Sequence, residues 1–92
     1  MWGVGSTFIE EVRVHDGAIA LNNFATYPLL TMRDAPDVEV ILLEAGDGVP
    51  RGVGEPPIGS VAASIGNTIF TLTGARLREL PFTPARVKAA MV

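Results

Sequence analysis

PPIGSVAASIGNTIFTLTG, residues 56–74, decides the fold. Within it Ile58, Val61, Ala62, Ile65, Ile69, Phe70 and Leu72 recur mostly at intervals of three and four, the spacing that places side chains on one face of an α-helix. Pro57 suits a first helical turn, where its missing N–H removes no hydrogen bond, and Gly74 is placed to end the helix in the left-handed conformation. The sequence thus predicts one long helix over about 57–73. Gly59, Ser60, Ala63, Ser64 and Gly66 give it small side chains, which would let a neighbouring backbone come close.

Working outward, RLRELPF (76–82) is a short alternating segment, and Thr83-Pro84 is a cap followed by a first-turn proline, predicting a final helix over about 84–91. Upstream, GDGVPRGVGEPP (46–57) reads as a loop whose backbone alternates between permissive glycine and fixed proline. DVEVILLEA (37–45) alternates and then becomes continuously apolar, as a strand with one or both faces buried would. NNFATYPLLTMRDAP (22–36) has no period, and Tyr27-Pro28 and Ala35-Pro36 push it toward an extended connection. TFIEEVRV (7–14) alternates in part, and Asp16-Gly17 marks a tight hairpin turn into HDGAIALN. These elements predict a single α+β domain, 1–92, with a small antiparallel sheet of about three strands, the long helix packed against it and a short C-terminal helix.

Composition limits what such a domain can do. A chain of 92 residues buries only about 60–65% of the surface its unfolded form exposes, so its core is marginal. Hydrophobic residues make up 48% and charged residues 18% of it, against about 25% charged in ordinary soluble domains. That balance implies apolar surface covered by something else. The net charge of −3, with the Lys and Arg residues scattered, supplies no basic stripe for a phosphate backbone and argues against nucleic acid as a partner. Without cysteine there is no disulfide, thiolate metal site, Cys-ligated iron–sulfur cluster or cysteine nucleophile, and a lone histidine excludes a His-rich zinc site. No apolar run reaches the roughly 18 residues of a membrane span, and MWGVGSTFIEE lacks the layout of a signal peptide; the expected location is cytoplasmic, or periplasmic if a larger enzyme is exported.

Few residues carry chemistry. Gly-Val-Gly at 3–5 lacks the third glycine and preceding strand of a dinucleotide loop, so it reads as packing. His15, beside the turn, reads as an exposed structural residue, and Trp2 and Tyr27 as packing residues. Asp34, Asp37, Glu39 and Glu44 lack metal-loop spacing and read as a solvated face. That leaves Glu55, a single acid between Gly52-Val53-Gly54 and Pro56-Pro57. Spacing alone favours a solvated turn acid; the sharper alternative is a functional carboxylate fixed on a loop.

GVGEPP, followed by AASIGNTIFTLTGARLRELPFTP, resembles the C-terminal end of the molybdenum-cofactor-binding large subunit of the xanthine dehydrogenase and aldehyde oxidase family. That family has a comparable G-x-G-E-P-P segment, a small-residue helix and then TG-x-R-x-R-x-LP-x-TP. GVGSTFIEEVRVHDG is similar to its glycine-containing helix end, paired glutamates and hairpin, and NNFATYPLLTMRDAPDVEV to its N-x-F-x-x-Y segment and the strand after it. The likeness spans nearly the whole chain and is greatest to the bacterial isoquinoline 1-oxidoreductase-like and aldehyde dehydrogenase-like branches. It implies that Glu55 is a buried active-site base that deprotonates a molybdenum-bound hydroxide, which attacks an aldehyde carbon or the carbon beside a ring nitrogen. In an apolar pocket, desolvation favours a carboxylate's proton and brings such a base into its effective range. Gly52, Val53 and Gly54 would let the backbone approach a molybdenum–molybdopterin cofactor in its cytosine dinucleotide form.

The family's subunits are much longer than this chain. The implied partners are therefore the remainder of the large subunit and an iron–sulfur subunit, with self-association possible for a lone chain. A catalytically inert interaction module or gene remnant is the alternative.

Overall fold

The computed structural model describes residues 1–44, 46–49 and 51–91 of the chain, and its regular elements are α1 (Trp2–Phe8), β1 (Val14–His15), β2 (Ala18–Ile19), α2 (Ile58–Thr73) and α3 (Pro84–Ala90). The result is mixed α+β, with a single two-stranded antiparallel sheet among the described residues. No described helix is long and apolar enough to cross a membrane.

α2 forms where its periodicity places it, one residue later than Pro57, which becomes the N-cap. It stops at Gly74, whose φ of 76° is the left-handed conformation that L side chains avoid, and the Gly74 N–H donates to the Phe70 carbonyl at 2.8 Å. α3 likewise follows its cap: the Thr83 hydroxyl accepts from the Arg86 N–H at 3.3 Å and Pro84 occupies the first turn. The hairpin turns at Asp16-Gly17, with φ of 49° and 78°, and pairs Val14 with Ile19 and His15 with Ala18.

Three expectations fail. Residues 7–14 do not form a strand: Thr7 and Phe8 end α1, and the only paired residue before the turn besides His15 is Val14. α1 contains two glycines in seven residues, each costing about 1 kcal/mol relative to alanine in a helix, so propensity does not explain it. Packing does. A Cβ on Gly3 would stand 2.7 Å from Val61 Cγ2 and 3.2 Å from the Ile58 carbonyl oxygen, and one on Gly5 would enter the Glu10 carboxylate.

The third strand is also absent among the described residues. Residues 37–44 carry no regular structure, and Ala45, the expected end of that strand, lies outside the described residues, as does Pro50 of the 46–57 loop. A strand needs a neighbour to take its N–H and C=O groups, and none pairs with this stretch among the described residues.

Finally, α2 packs not on the sheet, whose residues are all exposed, but on α1 and Phe82. Gly66, the one buried residue of α2, lies against the Phe82 ring, with 3.3 Å from its virtual Cβ to Cε2. Phe82 and Ala75 form the buried apolar core, and the Phe82 N–H donates to the Thr7 carbonyl at 2.6 Å, tying the segment before α3 to the end of α1. Buried Thr7 donates its hydroxyl to the Gly3 carbonyl at 2.5 Å.

This small core leaves the molecule open. Its accessible surface is 7774 Å², whereas a compact protein of 9.7 kDa exposes about 5,100 Å². Its radius of gyration is 16.6 Å, against about 12 Å for a compact domain of this length.

Candidate functional site

Glu55 sits on the exposed loop that leads into α2. Its carbonyl accepts a hydrogen bond from the Ile58 N–H at 2.9 Å, which fixes the backbone of the loop's last turn to the start of the helix. Pro56 and Pro57 occupy the turn between them and remove two donors that would otherwise need partners. The Glu55 side chain makes no hydrogen bond or ion pair among the described residues and faces solvent. Gly52, Val53 and Gly54 are exposed too, and nothing stands within 4 Å of where a Cβ on Gly52 or Gly54 would be, so this backbone is open to close approach.

Gly54 lines a groove of about 390 Å³ between the head of α1 and the first turn of α2, together with Met1, Trp2, Gly3, Pro57, Ile58 and Val61. It contains no ionisable side chain, and Glu55 is not among its walls. Trp2, expected to pack, is 76% exposed at its rim. No group of three or more His, Cys, Asp or Glu side chains that could hold a metal occurs among the described residues. The residues present therefore do not build a pocket for a molybdenum–pterin group: they offer an open backbone and one unshielded carboxylate, and no donor set around them.

Two polar clusters lie elsewhere, joined by contacts that sequence spacing does not reveal. The Tyr27 hydroxyl donates to Glu10 Oε2 at 2.8 Å, and that hydrogen bond, more than desolvation, pushes the phenol above its ordinary value. Glu11 takes Arg13 on one oxygen at 2.7 Å and Arg86, 75 residues away, on the other at 3.0 Å. The hydrogen bond from Arg13, then that from Arg86, holds the Glu11 carboxyl below its ordinary value. Arg86 also donates to the Pro81 carbonyl and to Glu79, so one guanidinium pins α3 to the segment after α1. Their partners explain them as structural ties. His15 is exposed, as expected, with its imidazole 3.0 Å from the Asp16 carboxylate, and Asp34, Asp37, Glu39 and Glu44 are exposed.

The chain is 39% identical over 82 residues to one of the subunits of nicotinate dehydrogenase from Pseudomonas putida, a match covering 89% of this chain and 7% of that protein. It is 34% identical over 88 residues to the aldehyde oxidoreductase molybdenum-binding subunit PaoC of Escherichia coli, covering 88% and 12%. The chain is a relative of one segment of the molybdenum-binding subunits of the xanthine dehydrogenase and aldehyde oxidase family. A membrane-bound aldehyde dehydrogenase of Gluconacetobacter polyoxogenes, whose name specifies pyrroloquinoline quinone, is 34% identical over 87 residues, covering 95% and 11%. The chain thus spans about a tenth of the length of these relatives. No family model and no solved structure matches it.

Glu55 and Gly52-Val53-Gly54 are exposed on a chain whose curated relatives extend far beyond the matched segment.

Proposed function

We propose that the chain is the C-terminal segment or subunit of a molybdenum hydroxylase that oxidises aldehydes or N-heterocycles with water as the oxygen source, and that Glu55 is its proton-accepting base. The supporting observation is the placement of Glu55: an unpaired carboxylate on a loop tied to the first turn of α2, beside open glycine backbone, in a chain related to molybdenum-binding subunits. A base must be free of competing partners, and no side-chain partner of Glu55 occurs among the described residues, which supports this reading. In the assembled enzyme a molybdenum–molybdopterin group, in its cytosine dinucleotide form, would supply the two-electron oxidation, with electrons leaving through an iron–sulfur subunit. Glu55 would hold the proton released in the reaction, and Gly52, Val53 and Gly54 would let the backbone lie against the cofactor. On this reading the chain alone is inactive, since no donor set or enclosure surrounds Glu55 among the described residues.

The test is Glu55→Gln in the assembled molybdenum-binding subunit, with molybdenum content and substrate hydroxylation both measured. Turnover should fall by about 10²–10⁴-fold, the usual contribution of a general base, with molybdenum content unchanged. Unchanged turnover would overturn the assignment. The large exposed apolar surface favours a second reading, an inert interaction module; recovery of an assembly that retains no molybdenum supports that reading instead.

A further inference from the structure

Arg13, Arg51 and Arg86 each pair with a carboxylate, whereas Arg76 and Arg78, in the segment between α2 and α3, meet none among the described residues. Glu79, the acid next to Arg78, accepts from Arg86 instead. As the alternation of RLREL implies, both arginines face one way: they line a single cleft of about 290 Å³, together with Asn67. No acidic side chain lines it.

Arg76 is set in place in that cleft. Its guanidinium carbon stands 3.7 Å from the centre of the Phe70 ring, and its Nη1 donates to Asn67 Oδ1 at 2.8 Å. These two contacts hold a side chain whose ordering would otherwise oppose binding, and they leave its other donors open. Arg78 makes no hydrogen bond among the described residues. Ala62, Ala63 and Gly66 supply the α2 side of the cleft, which larger side chains would fill, and Leu80 and Phe82 give it an apolar wall.

Two like charges lining one small cleft repel each other and focus a field that draws an anion. A carboxylate balances only one of them. A phosphate dianion balances both, and its oxygens can take forked hydrogen bonds from each guanidinium. The apolar wall offers the body of an organic phosphate a surface to lie on.

We propose that this cleft binds the phosphate group of a small organic phosphate, with Arg76 and Arg78 as the anion's ligands and Asn67 positioning Arg76. Glu55 and Gly52-Val53-Gly54 do not line the cleft, so the site stands independently of the catalytic reading.

Titration calorimetry of the 92-residue chain with phenyl phosphate, inorganic phosphate and benzoate, at an ionic strength held constant with chloride, tests this. Phenyl phosphate should bind saturably at one site, and more tightly than either of the other two. Arg78→Gln should weaken it by about 10–100-fold, the worth of a hydrogen bond to a charged group, and should leave the circular dichroism unchanged. Arg76→Lys keeps the charge but loses the fork, and should weaken binding too. Arg33→Gln removes the same charge from an exposed arginine outside the cleft and should leave binding as it was. Equal losses in Arg33→Gln and Arg78→Gln would show that binding follows net charge and would overturn the site. So would benzoate binding as tightly as phenyl phosphate, or no saturable binding at all. Binding that vanishes once the chain is assembled with the remainder of a molybdenum-binding subunit overturns it in favour of an ion pair with a protein carboxylate.

Discussion

Gly3→Ala tests whether the α1–α2 contact, rather than helix propensity, holds the N-terminal helix. The added methyl would stand 2.7 Å from Val61 Cγ2, 2.8 Å from Val61 Cβ and 3.2 Å from the Ile58 carbonyl oxygen. Carbon atoms in contact sit at about 3.5–4.0 Å, so the helices would have to separate by roughly 1 Å. A rotamer change can move Cγ2 but not Cβ or the carbonyl, so the clash cannot be relieved by side chains alone. Overpacking of this kind costs about 1–3 kcal/mol, and alanine's better helix propensity returns about 1 kcal/mol, leaving a net loss of up to about 2 kcal/mol. Gly59→Ala is the internal control: nothing lies within 4 Å of its virtual Cβ, so the same substitution in α2 should stabilise, by up to about 1 kcal/mol. Urea unfolding followed by circular dichroism would read both, and the two variants should move the midpoint in opposite directions. Combining Gly3→Ala with Val61→Gly, which removes both Val61 atoms from the clash, should recover part of the loss in a double-mutant cycle. A Gly3→Ala protein at least as stable as the parent would refute the close-approach account of α1.

Two further expectations concern the whole chain. Because Glu11 is held below its ordinary value of 4.5 by Arg13 and Arg86, its contribution is fully present above that value and is lost as pH falls below it through the depressed folded value. Amide protection of α3 should therefore weaken on acidification below pH 4.5, and Glu11→Gln should abolish that dependence; a flat profile in the parent would show that Arg86 does not pin the helix. Unfolding should also expose unusually little surface: about 14,000 Å² for the unfolded chain, less the 7774 Å² already exposed, leaves about 6,200 Å², against about 9,000 Å² for a compact domain of this mass. The urea m-value should accordingly be about 30% smaller than that of a compact domain, and a full-sized value would mean that the residues between the hairpin and α2 are buried in solution.

Where the sequence carries its own stop and start signals, the fold is legible in it. Gly74 ends α2, Thr83-Pro84 begins α3 and Asp16-Gly17 makes the turn, because each acts through its own backbone and needs nothing distant. α1 is easily misread because Phe8, Val12 and Val14 alternate, while the forces that make residues 2–8 helical come from Val61 and Ile58, more than fifty residues away. The third strand misleads for the converse reason: VEVILL has the composition of a strand, but pairing is a property of two segments, and no second segment pairs with it among the described residues. Tyr27–Glu10 and Arg86–Glu11 have no spacing signature, so Tyr27 reads as packing alone. Glu55 is legible as an acid on a constrained loop; the buried setting that the resemblance implies is not seen, and the side chain is exposed.

The bare stretch VEVILL has a consequence for the cell. Six residues of high β-propensity carrying one charge and no proline are the kind of segment from which amyloid zippers grow. Asp37 and Glu44 flank it as gatekeepers, and their repulsion is weakest where salt screens it. Copies made in excess of whatever covers them would be clients for chaperones and proteases, so synthesis of this chain is expected to be matched to that of its counterpart.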